Sequence, residues 1–397
     1  MSGATPTHVV VVGAGLGGLR TIEALRSNGY AGQITLIGAE EHLPYDRPPL
    51  SKHFLHGQWE ADRITLADHD RLAALDVTLR LGTRATGLTG TTVQLADGDS
   101  VAGDAVVLAT GAAARTVRDQ PSGVATLRTL DDAVALRKAL ESAGSLVIIG
   151  GGFIGAEVAW AARQRDIAVT VLEALPVPCE RVLGPQAGAL AARLFTEAGV
   201  DLRCGTQVAK ITDDHTVELA DGGKVTADVV LVSIGAVPDV DWLSEVGLAE
   251  RGGIACDENG RAVGADGVWA VGDAAAWWDP EAGRHHRSEH WTAVIEHAAK
   301  VATGIIGSEP ASSRTAQLGP NYVWSDQFGL KIQVSGRTGS AGAEIRQLHG
   351  TGLDGGPVKG TVIGYYADGV LVGIVSFGAP AQFMRTRSGL GQAAEPA

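Results

Sequence analysis

The chain has 397 residues, with 32 basic side chains against 45 acidic ones and a formal net charge of −13. Hydrophobic residues make up 45% and charged residues 19%, the composition of a soluble globular protein of two to three domains. The acid excess argues against non-specific binding to nucleic acid or to a membrane surface, both of which favour a basic face.

Glycine is the outlier, with 54 residues, about 14% where roughly 7% is usual. No G-X-Y period accompanies it, so collagen is excluded, and tight turns or close backbone–ligand approach are the use to expect. Cys179, Cys204 and Cys256 are scattered and form no C-x-x-C, so neither a redox dithiol nor a zinc knuckle is signalled. They read as ordinary buried thiols of a reducing compartment. No apolar run approaches membrane-spanning length. The N-terminus lacks a basic n-region and enters a strand directly, so no secretory signal is expected and a cytoplasmic location is.

The first informative segment is the β-branched run Val9 to Val12, which reads as a buried parallel strand. It leads into G-x-G-x-x-G at Gly13, Gly15 and Gly18, with Leu16 inside the motif, and then into a helical pattern from Leu19 to Leu25. A second strand follows at Ile34 to Ile37. In such a unit one glycine makes the tight turn, one lets the backbone approach a pyrophosphate, and one allows close helix–strand packing. The anion rests on the helix N-terminus, where free N–H groups and the dipole favour it.

The unit recurs. Leu146 to Ile149 leads into Gly150, Gly152 and Gly155, with Phe153 and Ile154 between; a helix continues through Glu157 to Ala162, and a strand runs from Ala168 to Glu173. The copies differ at the acidic ribose position. Glu173 ends the second strand, where a carboxylate accepts the ribose hydroxyls, and no arginine follows before Arg181, so NADH is favoured over NADPH. In the first copy the strand ends at Ala39, with Glu40 and Glu41 one or two residues late; one of them is expected to serve the ribose.

Two nucleotide sites point to FAD and NAD(H). Two further apolar strands end in small turns, at Ala109-Thr110-Gly111 and at Ile234-Gly235, one in each unit. A third, Val268 to Val271, closes on Gly272-Asp273, where the aspartate could accept from a flavin ribityl hydroxyl.

With these elements in order, the chain resembles the FAD-dependent pyridine-nucleotide oxidoreductases. More narrowly it resembles the NADH-dependent ferredoxin reductases of bacterial oxygenase and cytochrome P450 systems; apoptosis-inducing factor shares the architecture. The stretches that carry the resemblance are Pro44 to Lys52, Leu127 to Asp132, Gly150 to Glu157 and Trp324 to Gln327, within a match spanning roughly residues 7–380. It implies an α/β fold with two Rossmann-like domains, glutathione-reductase-like, plus a C-terminal α+β domain. The expected segments are 1–115 and 241–315 for FAD, 116–240 for NAD and 316–397 for the last domain.

The resemblance also implies site residues. Arg47 and Arg128 would meet the FAD pyrophosphate, the Ala85 backbone would lie by the adenine, and Asp273 would hold the ribityl chain. Glu289, His290 and Trp291 would serve FAD, Trp291 near the pyrimidine end, and Trp324 would pack against flavin or line the exit side. Lys52 would sit beside the isoalloxazine and pair with Glu157. The pattern is departed from at Ala39, where the family usually carries an acid, at Val263-Gly264, where a threonine is common, and in the short Gly/Ala/Pro-rich tail from Gly378, which bears on the final helix and any surface it offers a partner.

The residues fit that chemistry. A lysine beside flavin N5 would stabilise negative charge developing on reduction, and a glutamate partner would offset the cost of burying it. Flavin takes up two electrons and can release them singly, which suits a [2Fe–2S] ferredoxin serving an oxygenase. An NADH oxidase or rubredoxin reductase, or a non-enzymatic protein of the apoptosis-inducing-factor kind, remain alternatives. His285, His286, His290 and His297 cluster without carboxylate–His spacing and read as a solvated loop and helix face, so no metal is expected. Trp277 and Trp278 read as loop residues. Residues 316–397 hold six basic and five acidic side chains, net +1, leaving −14 for the remainder. An acidic ferredoxin would be steered to the C-terminal domain by that contrast.

Overall fold

The computed structural model describes residues 5–249, 252–280, 283–288, 291–307, 322–339 and 342–393. The chain separates into two compact units. Unit 1 comprises Met1–Asp46, Asp62–Ala113 and Val237–Leu318; unit 2 comprises Arg47–Ala61, Ala114–Ala236 and Gly319–Ala397.

Unit 1 is built on a five-stranded parallel sheet in the spatial order Val268–Ala270, Ala105–Leu108, His8–Val12, Gln33–Ile37 and Val77–Arg80. Its inner strands are buried on both faces, which explains why they read as unbroken Val/Ile/Leu runs instead of alternating ones. The helix Leu16–Ser27 crosses from the first strand to the second and packs on the helix Trp291–Ile306. An antiparallel meander, Ala85–Thr89, Thr92–Leu95 and Ser100–Ala102, completes the first half.

The tryptophans expected in a loop lie instead on a strand, Ala275–Asp279, paired antiparallel with Arg284–Arg287. Strand alternation sends Trp277 into the core at 8% exposure and leaves Trp278 outside at 41%. The bulky rings favour this pleated surface, and the nearby Asp-Pro ends the strand. His285 and His286, expected in a loop, are exposed on the partner strand. His297 is half-buried: it lies on the helix Trp291–Ile306 and stacks on Trp277, with ring centroids 3.9 Å apart.

Unit 2 carries the second copy. Its parallel sheet has the order Asp201–Arg203, Ala168–Leu172, Ser145–Ile149 and Val229–Val232, with the helix Phe153–Arg163 in the crossover. An antiparallel sheet of five strands follows, ordered Val323–Gln327, Leu330–Gly336, Val370–Phe377, Thr361–Ala367 and Glu344–His349. The short tail still forms a helix, Pro380–Arg387, started by its proline and anchored by buried Phe383. The helix Glu180–Glu197, kinked at Gly184-Pro185, lays Leu183, Ala187, Leu190 and Leu194 into one core with Ile332, Ile363, Tyr365 and Phe377 of the last sheet. This is an α/β fold with two dinucleotide-type modules, as the glycine motifs predict, and a C-terminal α+β region, as the resemblance implies.

Candidate functional site

In unit 1 the three glycines of the first loop do different physical work. Gly13 has φ +118°, and a β-carbon there would lie 2.1 Å from the Ala109 carbonyl oxygen, so only glycine lets the loop pass the neighbouring strand end. A β-carbon on Gly18 would lie 2.0 Å from the Gly13 carbonyl oxygen. Gly15 is the opposite case: nothing lies within 4 Å of its would-be β-carbon, and it is the N-cap of a helix that no side chain caps. Leu16 is the first residue of that helix. Uncapped N–H groups facing open space are where a pyrophosphate would be held.

Other expected FAD residues lie in the same unit. The direction of Gly17's absent side chain meets Val271, Val294 and Ala109, which brings the turn Gly272–Ala274, with half-buried Asp273, against the start of the glycine helix. Thr110 donates its hydroxyl to the Asp239 carbonyl at 2.8 Å, and Gly111 takes φ +72° to leave the strand. Ala85 is buried at the head of the meander. Trp291 is half-buried at the first turn of its helix. Glu40 accepts a hydrogen bond from the Tyr45 hydroxyl at 2.6 Å, while Ala39 is exposed. Glu289 and His290 lie outside the described residues.

Unit 2 repeats the loop role for role. Gly150 has φ +106° and would put a β-carbon 2.2 Å from the Ser233 carbonyl oxygen; Gly155 would put one 2.2 Å from that of Gly150. Gly152, the uncapped N-cap of the next helix, faces open space. Phe153 is half-buried, Ile154 is exposed, and Ile234-Gly235 ends the neighbouring strand with Gly235 at φ +100°.

Glu173 is 9% exposed. Its carboxylate accepts from the Gly151 N–H at 2.6 Å and from the Leu175 N–H at 2.7 Å. The acid expected to receive ribose hydroxyls therefore also braces the glycine loop. Cys179, which sequence reading left as a buried thiol, touches that loop too: its N–H donates to the Gly151 carbonyl at 3.0 Å and its Sγ lies 3.3 Å from the same oxygen. Burial pushes its thiol up to about 12, so it holds its proton and is no nucleophile.

The same unit brings together the two residues expected to do chemistry. The Lys52 ammonium lies 2.9 Å from Glu157 Oε1. Glu157, at the start of the second turn of Phe153–Arg163, is 3% exposed. Ser51 donates to its other oxygen at 2.5 Å, and Ser325 makes a short hydrogen bond to Oε1. Neither serine was singled out by sequence, although both lie in motifs that were, beside Lys52 and inside Trp324 to Gln327. Arg47 and Arg128 are also joined: the Arg47 guanidinium donates to the Arg128 carbonyl at 2.6 Å. The Arg128 backbone is fixed by a capping box, in which Asp132 accepts from the N–H groups of Arg128 and Thr129 while Thr129 caps the helix Leu130–Ala139. Trp324 stacks on Tyr322 with centroids 5.8 Å apart.

Among the described residues no group of three or more His, Cys, Asp or Glu is placed to hold a metal ion. No described helix is long and apolar enough to cross a membrane. Each glycine loop therefore offers an uncapped helix start, room at its middle glycine and a carboxylate nearby, a set of donors and acceptors that fits a dinucleotide.

Comparison with known proteins agrees. The chain is 38% identical over 385 residues to the ferredoxin reductase component of chlorobenzene dioxygenase from Cupriavidus sp. (strain PS12), covering 95% of this chain and 90% of that protein. It is 36% identical over 337 residues to the ferredoxin–NAD(+) reductase component of the p-cumate 2,3-dioxygenase system of Pseudomonas putida, covering 83% and 81%. The reductase in the covalent putidaredoxin reductase–putidaredoxin complex superposes with a TM-score of 0.87 at 31% identity, over 97% of this chain and 93% of that one. Residues 7–298 match the pyridine nucleotide-disulphide oxidoreductases and residues 322–397 the reductase C-terminal domain. The chain belongs to the pyridine nucleotide-disulphide oxidoreductase family.

Proposed function

We propose that this chain is an FAD-dependent reductase that oxidises NADH and passes the electrons one at a time to a [2Fe–2S] ferredoxin, which feeds a cytochrome P450 or a ring-hydroxylating oxygenase. The observation that carries this reading is the doubled glycine cradle, two open helix starts with equivalent glycine roles in one chain. FAD would be held by Gly13, Gly15, Leu16 and Gly18, by Glu40, Ala85, Thr110 and Asp273, and by Arg47 and Arg128. NADH would be held by the loop from Gly150 to Gly155, by Glu173 and by Ile234-Gly235. Bound flavin supplies the change from two-electron to one-electron transfer, and the protein supplies position and electrostatics.

The chain's own residues have definite tasks. Glu173 presents acceptors to ribose hydroxyls and would repel a 2′-phosphate, which selects NADH. Lys52, fixed by Glu157, supplies positive charge where reduction places negative charge. Cys179 and Cys256, both pushed up to about 12 by burial, stay protonated, and the sequence holds no C-x-x-C to serve as a dithiol relay. The residues from 316 onward, at net +1 against −14 for the rest, would steer an acidic ferredoxin. The cytoplasm is the location this reading assigns.

The test is a visible spectrum followed by an acceptor screen. A yellow protein that turns over NADH with ferricyanide, but reduces cytochrome c only when a [2Fe–2S] ferredoxin is added, is the expected result. Rapid oxygen consumption without ferredoxin would make it an oxidase, and preferential reduction of rubredoxin would change the acceptor. A stable NADH complex without turnover would make it a non-enzymatic flavoprotein.

A further inference from the structure

Glu157 could serve Lys52 in either of two ways. A neutral acid could pass a proton to and from the amine, whereas a fixed anion could only hold the ammonium in place. Its surroundings distinguish these roles. Lys52 Nζ lies 2.9 Å from Oε1, Ser51 Oγ lies 2.5 Å from Oε2, and Ser325 Oγ is hydrogen-bonded to Oε1. A hydroxyl can donate or accept, so the direction of the serine bonds matters. Gln327 Nε2 donates to Ser325 Oγ at 3.0 Å, which occupies that oxygen as an acceptor and turns its one proton toward Glu157.

Ser325 and Gln327 are two apart on one strand and share its buried side. Asp326 between them faces the other way, 3.9 Å from Lys331. The strands Ser145–Ile149 and Ala168–Leu172 that pack on the Glu157 helix bring no ionisable side chain. Cys179, whose charge would couple to both Glu157 and Glu173, is buried and stays a neutral thiol. Among the described residues, the carboxylate's partners are the Lys52 ammonium and the Ser51 and Ser325 hydroxyls, all of them donors to it.

We propose that Ser51, Ser325 and Gln327 are positioning residues that clamp Glu157 as a permanent anion, so that Glu157 anchors the Lys52 ammonium and does not relay its proton. The proposal rests on the reductase reading only in assigning Lys52 to the flavin; the clamp itself lies wholly within unit 2.

The experiment uses the flavin-loaded full chain with Ser51→Ala, Ser325→Ala, the double variant, Gln327→Leu and Ser325→Thr. Stopped-flow reduction by NADH is followed across pH, and the flavin midpoint potential is measured separately. Losing a hydrogen bond to a charged group should slow reduction about tenfold or more, with NADH affinity unchanged. The midpoint potential should fall, and the rate should acquire a dependence on pH that the parent lacks. Ser325→Thr should restore all three, and Gln327→Leu should shift them the same way by less. In a Lys52→Met background, Ser325→Ala should add nothing.

An unchanged rate and potential in a folded, flavin-loaded double variant would overturn the clamp. So would a parent rate whose pH dependence Glu157→Gln removes, because that is the behaviour of a relay. A parent chain that binds no flavin would sink the reductase reading instead. The clamp would then be judged by urea unfolding, in which Ser325→Ala must destabilise the parent but not Glu157→Leu.

Discussion

The two glycine loops solve the same steric problem and differ in what they do with their acid. Gly13 and Gly150 pass under a neighbouring carbonyl, Gly18 and Gly155 let the helix settle on the loop, and Gly15 and Gly152 leave space. In unit 2 the carboxylate at the strand end, Glu173, is buried and bonded back to the loop through Gly151. In unit 1 the strand ends at Ile37, Gly38 and the exposed Ala39 follow it, and the carboxylate after them, Glu40, is bonded to Tyr45 instead. The steric requirement on the loop is thus met by glycine in both units. The acid is a separate component, and whether it also braces the loop depends on where along the chain it falls.

The severest test of the shared steric rule is alanine at Gly13 or Gly150. Positive φ and a contact near 2 Å with backbone should together cost at least about 3 kcal/mol, read as a large fall in the urea midpoint. A tolerated substitution at either site would break the equivalence. A smaller effect separates the units by pH. His297 in unit 1 is pushed down to about 4, chiefly by burial and further by Lys300, with Asp273 opposing. The unfolded chain therefore takes up this proton first. Stability is whole near neutrality and falls as pH drops from the ordinary value of 6.5 toward about 4. Near roughly pH 5 the loss should be about 2 kcal/mol, and His297→Phe, which keeps a ring against Trp277, should flatten it. An unchanged pH profile in that variant would remove His297 from the account.

Alanine at Gly15 or Gly152 should leave unfolding unaltered, because space is open there, yet weaken the matching coenzyme about tenfold, near 1.4 kcal/mol. Gly15→Ala should release FAD and Gly152→Ala should raise the NADH dissociation constant. Loss of the same coenzyme in both variants would show that the loops are not separate sites. The smallest effect is expected at Glu173. Parent kcat/KM should favour NADH over NADPH, and Glu173→Ala should narrow the ratio; equal values in the parent would refute the ribose assignment.

Much of this was legible in the sequence because glycine spacing is a backbone requirement that few other arrangements satisfy. Both modules, their strand ends at Ala109 to Gly111 and Ile234-Gly235, and the turn at Asp273 follow from short local patterns. The Lys52–Glu157 pair joins residues 105 apart, and only the family resemblance suggested it before the structure placed it. Ser51 and Ser325 could not be read at all: a serine's role depends on which long-range neighbour it meets, and that is absent from local spacing. Trp277 misled because a Trp-Trp-Asp-Pro run looks like a turn until its partner strand, Arg284–Arg287, is known.

The kinked helix Glu180–Glu197 has a practical consequence for anyone recombining such reductases. Because its apolar side is completed by the terminal sheet, and the Tyr365 hydroxyl reaches the Leu183 carbonyl within it, the last eighty or so residues are not a detachable cap. A chimera joined at the start of that sheet would pair one parent's helix with another's sheet and mismatch the interior on both sides. A crossover that carries the helix along with the sheet would keep that interior intact.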